Sequence, residues 1–204
     1  MLPVPPWTEL RRLLPRLFLG LVLFGLGLAL MVVADLGLAP WEVLHQGISR
    51  QTGVPIGTVG ILTGIVVLVL WIPLRERIGL GTVANVIVIG IVIDLTLLML
   101  PAQIDGLVLR WAALAGGLLL VAAGSGFYIG VGLGPGPRDG LMTGIARRGN
   151  SIRVVRGGIE ISVLVAGWLL GGTVGIGTVI FAFGIGPLVQ FALGRLSVPI
   201  PSVE

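Results

Sequence analysis

The sequence predicts an all-α polytopic membrane protein of six transmembrane helices, built as two inverted three-helix repeats that each carry a short re-entrant or broken helix. Three observations lead there. Of 204 residues, 55% are hydrophobic and only 11% charged, with a mean hydropathy of +1.10, whereas soluble domains carry about 25% charge. Six apolar runs approach the roughly 20 residues that cross a bilayer as a helix. Two short motifs recur in the same order in both halves of the chain.

The elements follow in chain order. Residues 1–15 read as a cytoplasmic N-terminal segment, and the first span as Leu17 to Val33. That run is of spanning length and five more follow it, which argues against a cleaved signal peptide. A Gly/Pro break, Leu36-Gly37-Leu38-Ala39-Pro40, precedes a half-helix at about 39–50, too short and too polar to cross alone. Spans at Val59 to Leu74 and Val83 to Leu100 complete a first repeat, 16–103. The second repeat, 104–196, opens with a span at Leu107 to Val131, breaks at Gly132 to Pro137 and continues into a half-helix at about 136–148. Its last spans are Ile159 to Leu170 and Thr178 to Leu193, ahead of a cytoplasmic tail at 197–204. The segment Ile159 to Leu170 reaches spanning length only if it begins within Arg153 to Gly158.

The arginines orient these spans. With the N-terminus in the cytoplasm and both short helices non-crossing, eleven arginines lie inside and only Arg50 and Arg110 outside. That is the bias expected of cytoplasmic loops. Both termini are then cytoplasmic. The arginines are scattered among apolar runs, so the net charge of +4 is no nucleic-acid footprint.

Pro40-Trp41-Glu42-Val43-Leu44-His45-Gln46-Gly47-Ile48 aligns with Pro137-Arg138-Asp139-Gly140-Leu141-Met142-Thr143-Gly144-Ile145 at an offset of 97. Gly79-Leu80-Gly81-Thr82 aligns with Gly175-Ile176-Gly177-Thr178 at an offset of 96. Three crossings per unit is an odd number, so the second unit is expected upside down relative to the first, with the N-terminal ends of the half-helices converging on a central region. Free N–H groups and the positive dipole ends would there suit an anionic group.

The stretches beginning at Gly37, Gly79 and Gly171 resemble the YczE/YyaS/YitT family of bacterial integral membrane proteins, closest to the YczE branch, over about Arg16 to Leu196. The resemblance implies a multi-pass protein of the bacterial inner membrane. It brings no agreed substrate and no established site residues.

Ionisable residues at membrane depth are costly and mark functional sites or buried pairs. Glu42 and Asp139 occupy equivalent positions two residues after a proline; they either complement their helix dipoles or form a symmetric carboxylate pair for a cation, proton or solute. Arg138 stands beside Asp139 as its neutralising neighbour. Asp94, with Gln190 at the equivalent place, either sits in a polar cavity near Glu42 and His45, the favoured reading, or pairs with a buried donor. Arg153, Arg156 and Glu160 share one helix face, as an internal ion pair or as a clamp for a carboxylate or phosphate. Trp41 offers a stacking face, and His45 is either hydrogen-bonded or a proton carrier. A single His and no Cys exclude the common metal centres and a cysteine nucleophile; no metal, cofactor or enzymatic activity is expected. Small-xxx-small spacings such as Gly60/Gly64, Gly126/Gly130 and Gly167/Gly171 predict close helix packing.

These residues point to a small secondary transporter or facilitator that moves a small polar or anionic metabolite by alternating access at a central site, with proton coupling through Glu42, Asp94 or Asp139. The alternative is a channel, or a non-transporting accessory protein of a biosynthetic or export complex. A homodimer is the expected assembly, and nucleic acid is not a partner.

Overall fold

A computed structural model describes residues 5–198 as eight helices: α1 (Trp7–Ala34), α2 (Pro40–Thr52), α3 (Ile56–Leu74), α4 (Leu80–Met99), α5 (Leu107–Ile129), α6 (Pro137–Ala146), α7 (Ile152–Leu169) and α8 (Ile176–Leu196). Five of them, α1, α3, α4, α5 and α8, are long and apolar enough to cross a membrane. Helix α7, which holds the sixth expected span, has 18 residues but carries Arg153, Arg156 and Glu160 in its first half. The chain is thus an all-helical, multi-pass membrane protein.

Helix α1 starts at Trp7, well before the expected Leu17. Leu10, Leu13, Leu17 and Leu21 form one buried stripe against Tyr128, Val131 and Leu133, and this packing extends the helix back through the segment expected to be a cytoplasmic arm. Residues 1–4 and most of the expected tail, from 199 on, lie outside the described residues.

Helices α1 and α5 cross at the centre of the molecule. A Cβ added to Gly20 would lie 2.7 Å from the Gly124 carbonyl oxygen, and one on Gly124 2.6 Å from that of Gly20. Gly27 and Gly117 are matched in the same reciprocal way, at 2.5 and 2.6 Å. Because the earlier glycine of α1 meets the later one of α5, the two helices run antiparallel. Lacking side chains, their backbones approach closely enough for van der Waals and Cα–H···O contacts.

The remaining helices pack in corresponding ways around this crossing. Helix α4 lies along α1, and α8 along α5; α2 packs on α7, and α6 on α3. The Gly-x-Gly-Thr turns explain themselves here: Gly81 N–H donates to the Leu133 carbonyl at 2.8 Å, and Gly177 N–H to that of Leu36 at 2.7 Å. Each turn thereby satisfies the backbone of the break in the opposite half of the chain. At the breaks themselves Gly37 and Gly134 have φ of +112° and +129°, conformations open only to glycine. At the far ends of the short helices, Arg50 donates to the Gly171 carbonyl after α7, and Arg148 to the Pro73 carbonyl of α3 at 2.6 Å.

The correspondence fails at one flank. Helix α3 packs on α4, with Gly57 against Gly90 and Gly64 against Val86. At the matching offset of 96, Gly57 and Gly64 are replaced by Arg153 and Glu160, and α7 is not among the helices packed on α8. The expected Gly167/Gly171 pairing also divides: Gly167 lies against the backbone of Leu44, whereas Gly171 sits past the end of α7 at φ +95°.

A leucine at Gly124 must overpack the α1/α5 crossing, a cost of about 1–3 kcal/mol. Thermal unfolding in detergent is expected several degrees lower for Gly124→Leu, whereas Gly116→Ala, where a Cβ meets nothing within 4 Å, leaves the midpoint unchanged or slightly higher.

Candidate functional site

The first turns of α2 and α6 line one cavity of about 530 Å³, together with parts of α3, α4, α5, α7 and α8. Both short helices begin with proline at the first position, Pro40 and Pro137, where the missing N–H removes one otherwise unpaired donor. Each then places an acid in its first turn, Glu42 or Asp139, which complements the positive end of its own helix dipole.

The two acids differ in their partners. Glu42 is 1% exposed and receives the Arg138 guanidinium at both oxygens, Nη1 to Oε2 at 3.3 Å and Nη2 to Oε1. Arg138 was expected to neutralise its neighbour Asp139; instead it reaches across to the other short helix, because adjacent residues on a helix point in different directions. Its guanidinium also lies over the Trp41 ring, 5.1 Å from the centroid, a cation–π contact that orients the fork. The Asp139 carboxylate takes no ion-pair partner among the described residues. It faces Gly136, where an added Cβ would lie 3.4 Å from Oδ2, 3.1 Å from the Tyr128 hydroxyl and 3.7 Å from Asn85 Nδ2.

Two buried donors or acceptors complete the wall. Trp41 and His45, 6% and 4% exposed, leave the indole Nε1 and the imidazole Nε2 without a hydrogen-bond partner. His45 Nδ1 lies 3.8 Å from Glu42 Oε1, outside hydrogen-bond range. A buried polar atom without a partner costs about 1–3 kcal/mol; both residues line the cavity, but the two nitrogens themselves are covered from it. Across the cavity, Arg156 Nε donates to Glu160 at 3.0 Å, the internal pair expected from their spacing. The lining carries three carboxylates, Glu42, Asp139 and Glu160, and two guanidiniums, Arg138 and Arg156. Two converging helix N-termini add about half a positive charge each, which leaves a dipolar chamber close to neutral.

The cavity gathers most of the expected site residues: Trp41, Glu42, His45, Arg138, Asp139, Arg156, Glu160 and Gln190. Asp94 and Arg153 are corrections. The Asp94 carboxylate is not in a polar cavity with Glu42; it accepts from Gly57 N–H at 2.6 Å, Thr58 N–H at 2.8 Å and the Thr58 hydroxyl at 2.7 Å. Three donors at the start of α3 consume it, so it caps a neighbouring helix. Arg153 is exposed outside the cavity. Tyr128 went unrecognised. The signal for it was a phenol, the chain's one tyrosine, within an otherwise apolar and glycine-rich span.

The chain matches, over residues 11–193, a family described as a family of unknown function (DUF6198). It is 45% identical over 192 residues to an uncharacterized protein of Haemophilus influenzae, covering 94% of this chain and 88% of the relative. It is 32% identical to the uncharacterized membrane protein YczE of Bacillus subtilis, over 86% and 83% of the two chains. Identity to the uncharacterized protein YyaS of the same organism is 27%, over 79% and 83%. These relatives agree with the resemblance read from the sequence. No solved structure matches the chain significantly.

Removing one partner of a buried ion pair costs about 3–5 kcal/mol. Arg138→Met is therefore expected to lower the unfolding midpoint sharply in detergent, and adding Glu42→Gln to that variant to restore much of the loss. Asp94→Ala, which uncaps α3, is expected to cost about 1–2 kcal/mol in the same measurement.

Proposed function

The chain belongs to the DUF6198 family of unknown function, and from the cavity between its two broken helices we propose that it is a small secondary carrier for a polar, dipolar solute. The observation that carries this reading is the convergence of two helix N-termini on one chamber lined by charged and polar side chains. Discontinuous helices meeting at mid-membrane are the usual setting of a carrier site.

On this reading the molecule is a pair of inverted three-span repeats, with α7 as the sixth span and α2 and α6 re-entrant. Several features support it: the antiparallel α1/α5 crossing, the exchanged docking of each Gly-x-Gly-Thr turn on the opposite break, and positive-φ residues that recur as Asp35/Gly132, Gly37/Gly134, Gly53/Gly149 and Arg75/Gly171. The arginine distribution favours cytoplasmic termini in a bacterial inner membrane. Alternating access would rock one half against the other about the α1/α5 crossing, exposing the chamber first on one side and then on the other.

The solute is a small polar or zwitterionic compound rather than a simple anion, because Glu42 and Asp139 already complement the dipole ends that an anion would use. Arg138 would hold its negative end, and Asp139 its positive end or a coupled proton. Asp94, saturated as a cap, drops out of the coupling scheme.

Liposomes reconstituted with the full chain are expected to accumulate at least one radiolabelled metabolite from a panel of zwitterions and anions. Trp41→Phe, which weakens the cation–π contact that orients Arg138, is expected to raise the KM for that solute severalfold. Uptake no greater than in empty vesicles for every compound in the panel rejects the carrier reading.

A further inference from the structure

The chamber has a side wall that its counterpart lacks. On one flank α3 and α4 seal it: Gly57 meets Gly90, Gly64 meets Val86, and Asp94 ties the start of α3 to α4. On the other flank α7 and α8 both line the chamber yet share no substantial packing with each other. Arg156 on α7, with Gly186 and Gln190 on α8, line the chamber and are exposed. They stand on the two helices between which this flank has no packed seam.

The chemistry of this flank is graded. Arg156 and Glu160 lie one to two turns into α7, which starts at Ile152. Apart from Gln190, the α8 wall beneath is apolar, with Phe181, Ile185, Val189 and Leu193 lining the chamber. Phe183, at 79% exposure, and Phe191, at 65%, continue this apolar surface outside. A slot with charged groups near a helix end and a hydrocarbon wall running inward fits a molecule that is polar at one end and apolar at the other. Each buried CH₂ of a tail would add about 0.8 kcal/mol of favourable transfer from water, a gain that a purely water-soluble guest cannot draw from this wall.

We propose that the opening between α7 and α8 is a lateral portal through which an amphiphile with a zwitterionic head and an acyl tail enters from the bilayer. This rests on the chamber being the binding site proposed above, and it names the substrate class for that site. The head sits among Arg138, Asp139 and the Trp41 indole, and the tail lies along α8 between Phe181 and Leu193. The replacement of the packing glycines Gly57 and Gly64 by Arg153 and Glu160 is what holds this flank apart.

The test uses the full chain in liposomes with a lysophosphatidylethanolamine that carries a diazirine near the end of its tail, and with water-soluble glycerophosphoethanolamine as the head alone. Photolabelling is expected on Phe181, Ile185 and Val189, at least tenfold above lipid-facing Leu98 and Leu169. Gly186→Trp fills the mouth at a site where an added Cβ meets nothing within 4 Å, and is expected to cut labelling at least fivefold. Gly194→Trp, equally unobstructed on α8 but outside the chamber, is expected to leave it unchanged. Labelling spread evenly over lipid-facing residues, or unaffected by Gly186→Trp, overturns the portal. So does a Gly186→Cys variant that cross-links completely to a second copy, because a protomer then covers this flank. Uptake of the head compound alone, with no labelling of the chamber, removes the portal and keeps the carrier; labelling of the chamber without flux of either compound keeps the portal and removes the carrier.

Discussion

The close crossing of α1 and α5 is the constraint on which the rest of the fold depends. Four glycines, Gly20 and Gly27 on one helix and Gly117 and Gly124 on the other, bring two backbones into contact. In a lipid environment hydrophobicity does not drive helices together, and close packing must do so. Once α1 and α5 are locked antiparallel, α4 and α8 fall on corresponding sides, and the breaks after α1 and α5 are carried to the turns that precede α8 and α4. The short helices begin at those breaks, so their N-terminal ends are directed to one place by a contact that contains no polar side chain.

Correspondence between the halves creates the chamber, and departures from it give the chamber its chemistry. Trp41 and Arg138 stand at matching positions, and so do Glu42 and Asp139. Had both halves kept tryptophan, the buried Glu42 carboxylate would lack its guanidinium partner, an arrangement that burial penalises strongly. Arginine in one half pairs with the glutamate of the other and stacks on its tryptophan, which leaves Asp139 as the one carboxylate of the chamber lining outside an ion pair. A second departure places Arg153 and Glu160 on α7 where α3 has its packing glycines, and α7 is not packed on α8 as α3 is on α4.

The boundaries of the helices were largely legible in the sequence, since a bilayer demands a fixed apolar length and Gly/Pro breaks are conspicuous within it. Both half-helices stand within a few residues of their expected limits, 39–50 and 136–148. Side-chain partnership was less legible. Neighbours in sequence suggested Arg138 with Asp139, but residues three or four apart, or on different helices, are the ones that meet. Asp94 looked like a cavity acid because it lies within an apolar run; only the close seating of Gly57 on Gly90 brings the donors of α3 to it. Tyr128 was overlooked because a lone phenol carries no periodic signal.

Hydropathy and chain-breaking residues act locally along the chain, and they were enough to read off the solvent of this protein, the order of its helices and the matched motifs that relate its halves. Which charges neutralise each other, which acid is a cap, and which helices pack together emerged from the folded arrangement alone. Those outcomes depend on distances between helices, and the distances are set by whether a glycine or a longer side chain stands where two backbones meet.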